Sequence, residues 1–323
     1  MKESYELIIK MTFGSYLYGT SLETSDKDYT GVFIPPARDI IMERTSKHIR
    51  ECTNPGNVSK NGVGDIDLTL YSLREFVELG LSNEIVALDM LYAPESMWLE
   101  PARPVVWNYI VGNRDRFISS DPRAMIGYAK RQAARYGLKA GRLSDAKDVL
   151  EFLRPLDGLS RLIEVWPQLL VGENSWFDGD YYIIVGKKLN KMLPIREAVG
   201  ILDKFVENYG KRAQEAADNK GVDWKAIMHA LRATYQVQEL YKNHKITLPR
   251  PTGEAMFLRH VRTGTWPYKI VSSILEDNID YAMRLSEKTD YPKSPDRKFW
   301  DGFLYEVMAG HLLEYLIKSV NRH

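Results

Sequence analysis

Asp26 and Asp28 stand either side of Lys27, just ahead of Tyr29-Thr30-Gly31-Val32-Phe33-Ile34. In a strand, residues i and i+2 face the same way, so the two carboxylates converge and Lys27 turns to the other side. Two hard oxygen ligands on one face suit Mg²⁺ carrying a nucleoside triphosphate. Ten residues separate Asp26 from Gly14-Ser15, and those two follow the apolar run Leu7-Ile8-Ile9-Lys10-Met11-Thr12-Phe13. That run reads as a buried strand, and Gly14-Ser15 as the turn into a helix. Such a step exposes backbone N–H groups at a helix start, where phosphate is readily held. An acidic turn between two strands is the plain alternative for the aspartates, and the phosphate-type turn nearby weighs against it.

The whole constellation resembles a known family. Gly-Ser, a gap of about ten, then Asp-x-Asp is similar to the signature of the DNA polymerase β-like nucleotidyltransferase superfamily. The longer form, Gly14-Ser15-x-x-Tyr18-Gly19-Thr20 with Ser25-Asp26-x-Asp28-x-x-Gly31-Val32, resembles its predicted bacterial and phage branch. The resemblance implies a minimal nucleotidyltransferase fold, a short mixed sheet with helices. It also implies that Asp26, Asp28 and a third carboxylate hold two Mg²⁺ ions (Mn²⁺ being the other candidate). Gly14 and Ser15 would hold the β- and γ-phosphates, and a nucleoside monophosphate would pass to a hydroxyl as pyrophosphate leaves.

The third carboxylate belongs on Asp65-Ile66-Asp67-Leu68-Thr69-Leu70-Tyr71. Its alternation reads as a strand, and Ser72 as the cap of a helix over 73–81. Spacing does not choose between Asp65 and Asp67, which share a face. The family-like order Asp-hydrophobic-Thr-hydrophobic-Tyr picks Asp67.

These groups must be positioned by strands over 5–13 and 28–35, the second ended by Pro35-Pro36. A short helix is expected at 36–42, then a polar loop over 43–64 with an Asn54-Pro55-Gly56-Asn57 turn and a short strand around His48 to Cys52. Another helix is expected over 83–92. After Pro94, Pro101 and Pro104 the texture changes, and helical periods take over. The boundary is set near Ser119-Ser120-Asp121-Pro122. The fold class is therefore α+β: a catalytic domain over 1–120, then a mostly helical domain over 121–323, a platform for the acceptor or the nucleotide. Helices are expected at 121–140, 144–153, 156–171, 194–219, 223–243, 252–263, 267–288 and 297–320. Tyr181-Tyr182-Ile183-Ile184-Val185 is the one stretch there that reads as a short strand.

Two helical stripes carry further candidates. Arg131, Arg135 and Lys139 recur every four residues, with Arg142 beyond, and would form a basic face able to meet a triphosphate or polynucleotide. Lys225, His229, Arg232 and Gln236 run beside an apolar stripe, and His229-Ala230-Leu231-Arg232 is similar to a His-x-x-Arg helix of the same branch. His229, Arg232 and Arg131 are thus candidate nucleotide contacts. Solvated faces and helix-helix hydrogen bonds are the competing readings.

Composition bounds the rest. The chain has 323 residues, 44% hydrophobic and 27% charged, with a net charge of +1, so nucleic acid would be met by a local patch rather than a global field. The one cysteine, Cys52, excludes an internal disulfide and fits a reducing cytoplasm. No run reaches membrane-spanning length, and the scattered histidines give no zinc spacing. The expected substrate is an NTP. The acceptor is left open between an RNA 3′ end, as in repair or tailing, a protein side chain, as in antitoxin nucleotidyltransferases, and a small hydroxyl compound. A non-catalytic nucleotide sensor is the alternative of another class, and the intact carboxylates argue against it.

Overall fold

A computed structural model describes residues 5–53, 65–135, 140–171, 175–217 and 222–320. Strand β1 (Glu6–Phe13) runs into the one-turn helix α1 (Gly14–Tyr18), and β2 (Lys27–Ile34) returns antiparallel to β1. After α2 (Ala37–Ile41) come β3 (His48–Cys52) and β4 (Ile66–Ser72), then α3 (Leu73–Leu81), α4 (Ile85–Leu91), β5 (Trp98–Glu100) and α5 (Pro104–Gly112). The sheet order is β3-β4-β2-β1-β5, with β2 and β4 parallel and the other pairs antiparallel. This is the mixed sheet expected for the N-terminal part. The edge strand β5 was not foreseen, being only three residues long. Ser72 caps α3 as expected, its Oγ accepting from the Glu75 N–H at 3.3 Å. The Asn54-Pro55-Gly56-Asn57 turn lies outside the described residues.

Helix α6 (Arg123–Arg135) leads to α7 (Ala140–Leu153), after which a 156–171 helix was expected. The structure has turns there, with a single 3₁₀ turn at Leu162–Val165. The reason is local. The Asp157 carboxylate accepts from the Leu159 N–H, folding an Asx turn next to Gly158, and Pro167 removes a helical donor within the span. The expected short strand at Tyr181 is β7 (Tyr181–Ile184), the centre of an antiparallel sheet between β6 (Ser175–Asp178) and β8 (Lys187–Asn190). Its neighbours β6 and β8, four residues each, are too short for their alternation to stand out. The helices that follow are α8 (Ile195–Ala217), α9 (Trp224–Asn243), α10 (Thr252–Arg262), α11 (Tyr268–Ser286) and α12 (Arg297–Val320), each close to its expected span. No helix among the described residues is long and apolar enough to cross a membrane.

The chain forms two compact units that do not follow chain order. The first comprises Met1–Tyr128, Leu231–Arg262 and Asn278–His323, and the second Ala129–Ala230 and Thr263–Asp277. A single break near residue 120 is a linear division. Here the first segment ends at 128, and two later helical segments pack with the five-stranded sheet. The second unit has its own core, built by Val149, Leu153, Tyr182, Leu189, Ala198 and Leu202 from α7, the small sheet and α8.

Burial in the first unit explains why its segments return. Phe76 and Trp107 meet at 5.5 Å, and Phe117 stacks on Trp300 of α12 at 3.8 Å. Asp89 of α4 is 1% exposed, and burying a carboxylate is costly unless it is paired. It accepts from the Tyr18 hydroxyl at 2.8 Å, from Arg232 Nη1 at 3.0 Å and from Gln236 Nε2 at 2.8 Å. The Arg232 guanidinium also lies 3.6 Å from the Tyr18 ring centre. Burial pushes the Tyr18 hydroxyl well above the usual tyrosine range, so it stays a donor. Removing one member of such a pair leaves the other charge buried alone. We expect Asp89→Ala to cost about 3–5 kcal/mol of stability, and Asp89→Ala with Arg232→Met to recover much of that loss. Equilibrium denaturation in urea measures both.

Candidate active site

Strand pairing brings three carboxylates together. In the parallel ladder of β2 and β4, Asp28 lies opposite Asp67. Asp26 immediately precedes β2, on the same side as Asp28 by alternation. Asp26, Asp28 and Asp67 each offer an oxygen, and those oxygens lie within 4.8 Å of one another. All three residues are half-buried, while Lys27 between them is exposed. Asp65 is outside this group. Its carbonyl accepts from the Lys27 N–H, and its carboxylate is reached by the Thr53 hydroxyl at 3.5 Å. The carboxylate cluster therefore contains Asp67 and not Asp65, the pair that spacing left open.

The Gly14-Ser15 turn is built against the same carboxylates. Phe13, the last residue of β1, pairs with Asp28 across the antiparallel ladder, so the turn begins beside that aspartate. Gly14 has φ +61°, and a Cβ added there would fall 2.0 Å from Asp28 Oδ2. Both the left-handed backbone and the carboxylate demand glycine. Ser15 is buried, and its Oγ has no hydrogen-bond partner among the described residues. An unsatisfied buried hydroxyl at this turn fits a group that accepts a hydrogen bond from it. Three carboxylates crowded on one face likewise fit a divalent cation, since close like charges repel in its absence. The residues present therefore suit a divalent cation.

A returning segment braces the turn. Gly19 ends α1 in the left-handed conformation, φ +73°, with Pro249 where a Cβ would make a 3.1 Å contact. The Arg250 N–H donates to the Tyr18 carbonyl at 3.1 Å, and Arg262 Nη1 donates to the Thr20 carbonyl at 2.8 Å. Arg262 was not among the sequence candidates. Burial lowers its guanidinium pKa, against the pull of the Asp26 and Asp28 charges that face it. Its one sequence signal, a basic last turn of α10 with Arg259 and His260, is the ordinary complement of a helix C-terminus.

Arg232 is spent on Asp89 in the buried network, because a guanidinium 5% exposed requires its counter-charge there. The sequence offered it as a nucleotide contact, and the structure places it in this buried ion pair. Arg131 is exposed on α6 and His229 half-buried on α9, and both belong to the second unit. Lys139 of the basic stripe lies outside the described residues.

A mixed sheet carrying this turn and three converging aspartates defines a DNA polymerase β-like nucleotidyltransferase. Residues 1–160 match the profile of the RNA repair pathway DNA polymerase beta family, RlaP, and the chain belongs to the DNA polymerase β-like nucleotidyltransferase superfamily. It is also 35% identical over 326 residues, 93% of this chain and 96% of the other, to an uncharacterized 38.9 kDa protein of the nrdC-mobD intergenic region of Enterobacteria phage T4. No solved structure matches.

Metal binding discriminates the two acidic positions of β4. Titrating the purified protein with Mn²⁺ and following the free ion by electron paramagnetic resonance should show Asp67→Asn losing at least about tenfold in affinity, the loss of one charged ligand. Asp65→Asn should stay within about twofold of wild type on the same argument. The reverse order would put Asp65 in the metal site.

Proposed function

We propose that the chain transfers a nucleoside monophosphate from an NTP to the 3′ hydroxyl of an RNA, in end repair or tailing. The observation that carries the transfer reaction is the Asp26, Asp28 and Asp67 cluster beside the Gly14-Ser15 turn. The choice of RNA as acceptor draws support from the RNA repair pathway description of the family.

In this reading the three aspartates hold the cation, and Ser15 donates its hydroxyl to a triphosphate oxygen. Gly14 lets the phosphate chain and Asp28 approach the same backbone. Bound Mg²⁺ would neutralise phosphate charge and make the acceptor hydroxyl a better nucleophile. The acceptor oxygen bonds to the α-phosphorus as the bond from that phosphorus to its bridging oxygen breaks. Pyrophosphate leaves with the electron pair, and the hydroxyl proton passes to water. In this reading the β2–β4 pairing would hold Asp28 and Asp67 in place for the transferring phosphate.

The test is to incubate the protein with each α-labelled NTP, Mg²⁺ and RNA oligonucleotides ending in a 3′ hydroxyl or a 3′ phosphate. Label should enter the hydroxyl-ended RNA alone. Asp26→Ala, Asp28→Ala or excess EDTA should reduce incorporation to background, while the melting temperature of the variants stays level or rises as carboxylate repulsion is relieved. Label appearing on protein from a lysate, with RNA unlabelled, would replace the RNA acceptor by a protein one. Full incorporation by Asp28→Ala would remove the carboxylate mechanism.

A further inference from the structure

We propose that Arg262 is the side chain that grips the terminal phosphates of the incoming triphosphate and of the departing pyrophosphate. The inference rests on the nucleotidyl-transfer reading and names a residue for it that sequence did not offer. A triphosphate is strongly anionic, yet the chain around the turn supplies no cation. From Thr12 to Asp26 there is neither lysine nor arginine, and the next basic residue, Lys27, is exposed and alternates away from the aspartates. Charge compensation beyond the metal must be brought in by the fold.

Helix α10 brings it. The segment leading into the helix is tied to the turn through the Arg250 N–H and the Tyr18 carbonyl, and its end through Arg262 and the Thr20 carbonyl. Thr20 in turn donates its N–H to the Ser15 carbonyl at 2.9 Å, so two hydrogen bonds in series join the guanidinium to the residue of the proposed phosphate hydroxyl. Arg262 feels both Asp26 and Asp28, yet no carboxylate reaches it within 4.0 Å among the described residues. Of its five N–H donors, the Thr20 carbonyl uses one. The other arginines near this loop are committed. Arg232 is paired to Asp89, and Arg250 to Glu239 at 2.6 Å and Glu254 at 2.7 Å. Arg262 thus combines a fixed position, partial burial and unspent donors in the planar fork that matches phosphate oxygens.

A residue that only braced Thr20, or only complemented the end of α10, would affect every nucleotide alike. The experiment therefore compares ligands. Isothermal titration in Mg²⁺ would measure a non-hydrolysable NTP, the matching NMP and pyrophosphate against wild type, Arg262→Lys and Arg262→Ala, with the melting temperature of each. Arg262→Ala should weaken NTP and pyrophosphate by at least about tenfold and leave NMP within about twofold, and Arg262→Lys should fall between. Equal NTP affinity in wild type and Arg262→Ala overturns the inference. So does a parallel loss for NTP and NMP with a lowered melting temperature, which identifies a brace. If Arg262→Ala does not fold, Arg262→Lys decides by the same ratio. A wild type that binds NMP and pyrophosphate but not NTP, or none of the three, fails the nucleotidyl-transfer reading itself, and the inference with it.

Discussion

Asp28 and Asp67 stand opposite each other because β2 and β4 pair in parallel, and much of the first unit can be traced to that register. Two half-buried carboxylates side by side repel, so the pairing must be held by other contacts. Those lie further along the same strands. The C-terminal half of β2 is buried, and Leu70 of β4 is 1% exposed. Slipping one strand by a residue would turn its apolar set outward and part the aspartates together. The same burial that stabilises the sheet therefore fixes the distance between the candidate ligands.

The neighbouring ladder carries a second constraint to the same point. Phe13 lies opposite Asp28 across β1 and β2, so the chain must turn where a carboxylate already occupies the space of a side chain. Only glycine fits there. The turn leads into α1, whose Tyr18 enters the buried network with Asp89, Arg232 and Gln236. Positions 143 residues apart in sequence are thereby joined by a charge pair that water does not screen. The helical segments that return to the sheet are thus part of the scaffold of the motif loop, and α10 reaches the carboxylates through it.

The second unit is organised on different terms. Its three strands are short, its turns are made by Gly179 and Gly186 in the left-handed region, and its helices close over one face of the little sheet. Within it, Tyr182 is fully buried, and Trp176 is half exposed on the edge strand. The basic candidate Arg131 belongs here, exposed on α6.

What the sequence determined by itself was everything whose cause is local. Gly14-Ser15, Asp26-Lys27-Asp28, the Ser72 cap and the long apolar periods of α8 to α12 are each legible within one turn or one element, because backbone geometry alone relates the residues involved. The failures have the same explanation. Asp157-Gly158 and Pro167 made turns where apolar spacing read as helix, and the four-residue strands on either side of β7 gave no period to read. What only the tertiary structure decided depends on contacts between distant segments. Asp67, and not Asp65, has an oxygen within the carboxylate cluster, an outcome of side-chain positions contributed by two strands. Arg232 was drawn into a buried pair by the demand of Asp89 for a counter-charge. Arg262, indistinguishable in sequence from any cation ending a helix, was placed against Thr20 by the packing of α10. Burial and charge pairing sum over the whole fold, so no window of the chain contains them.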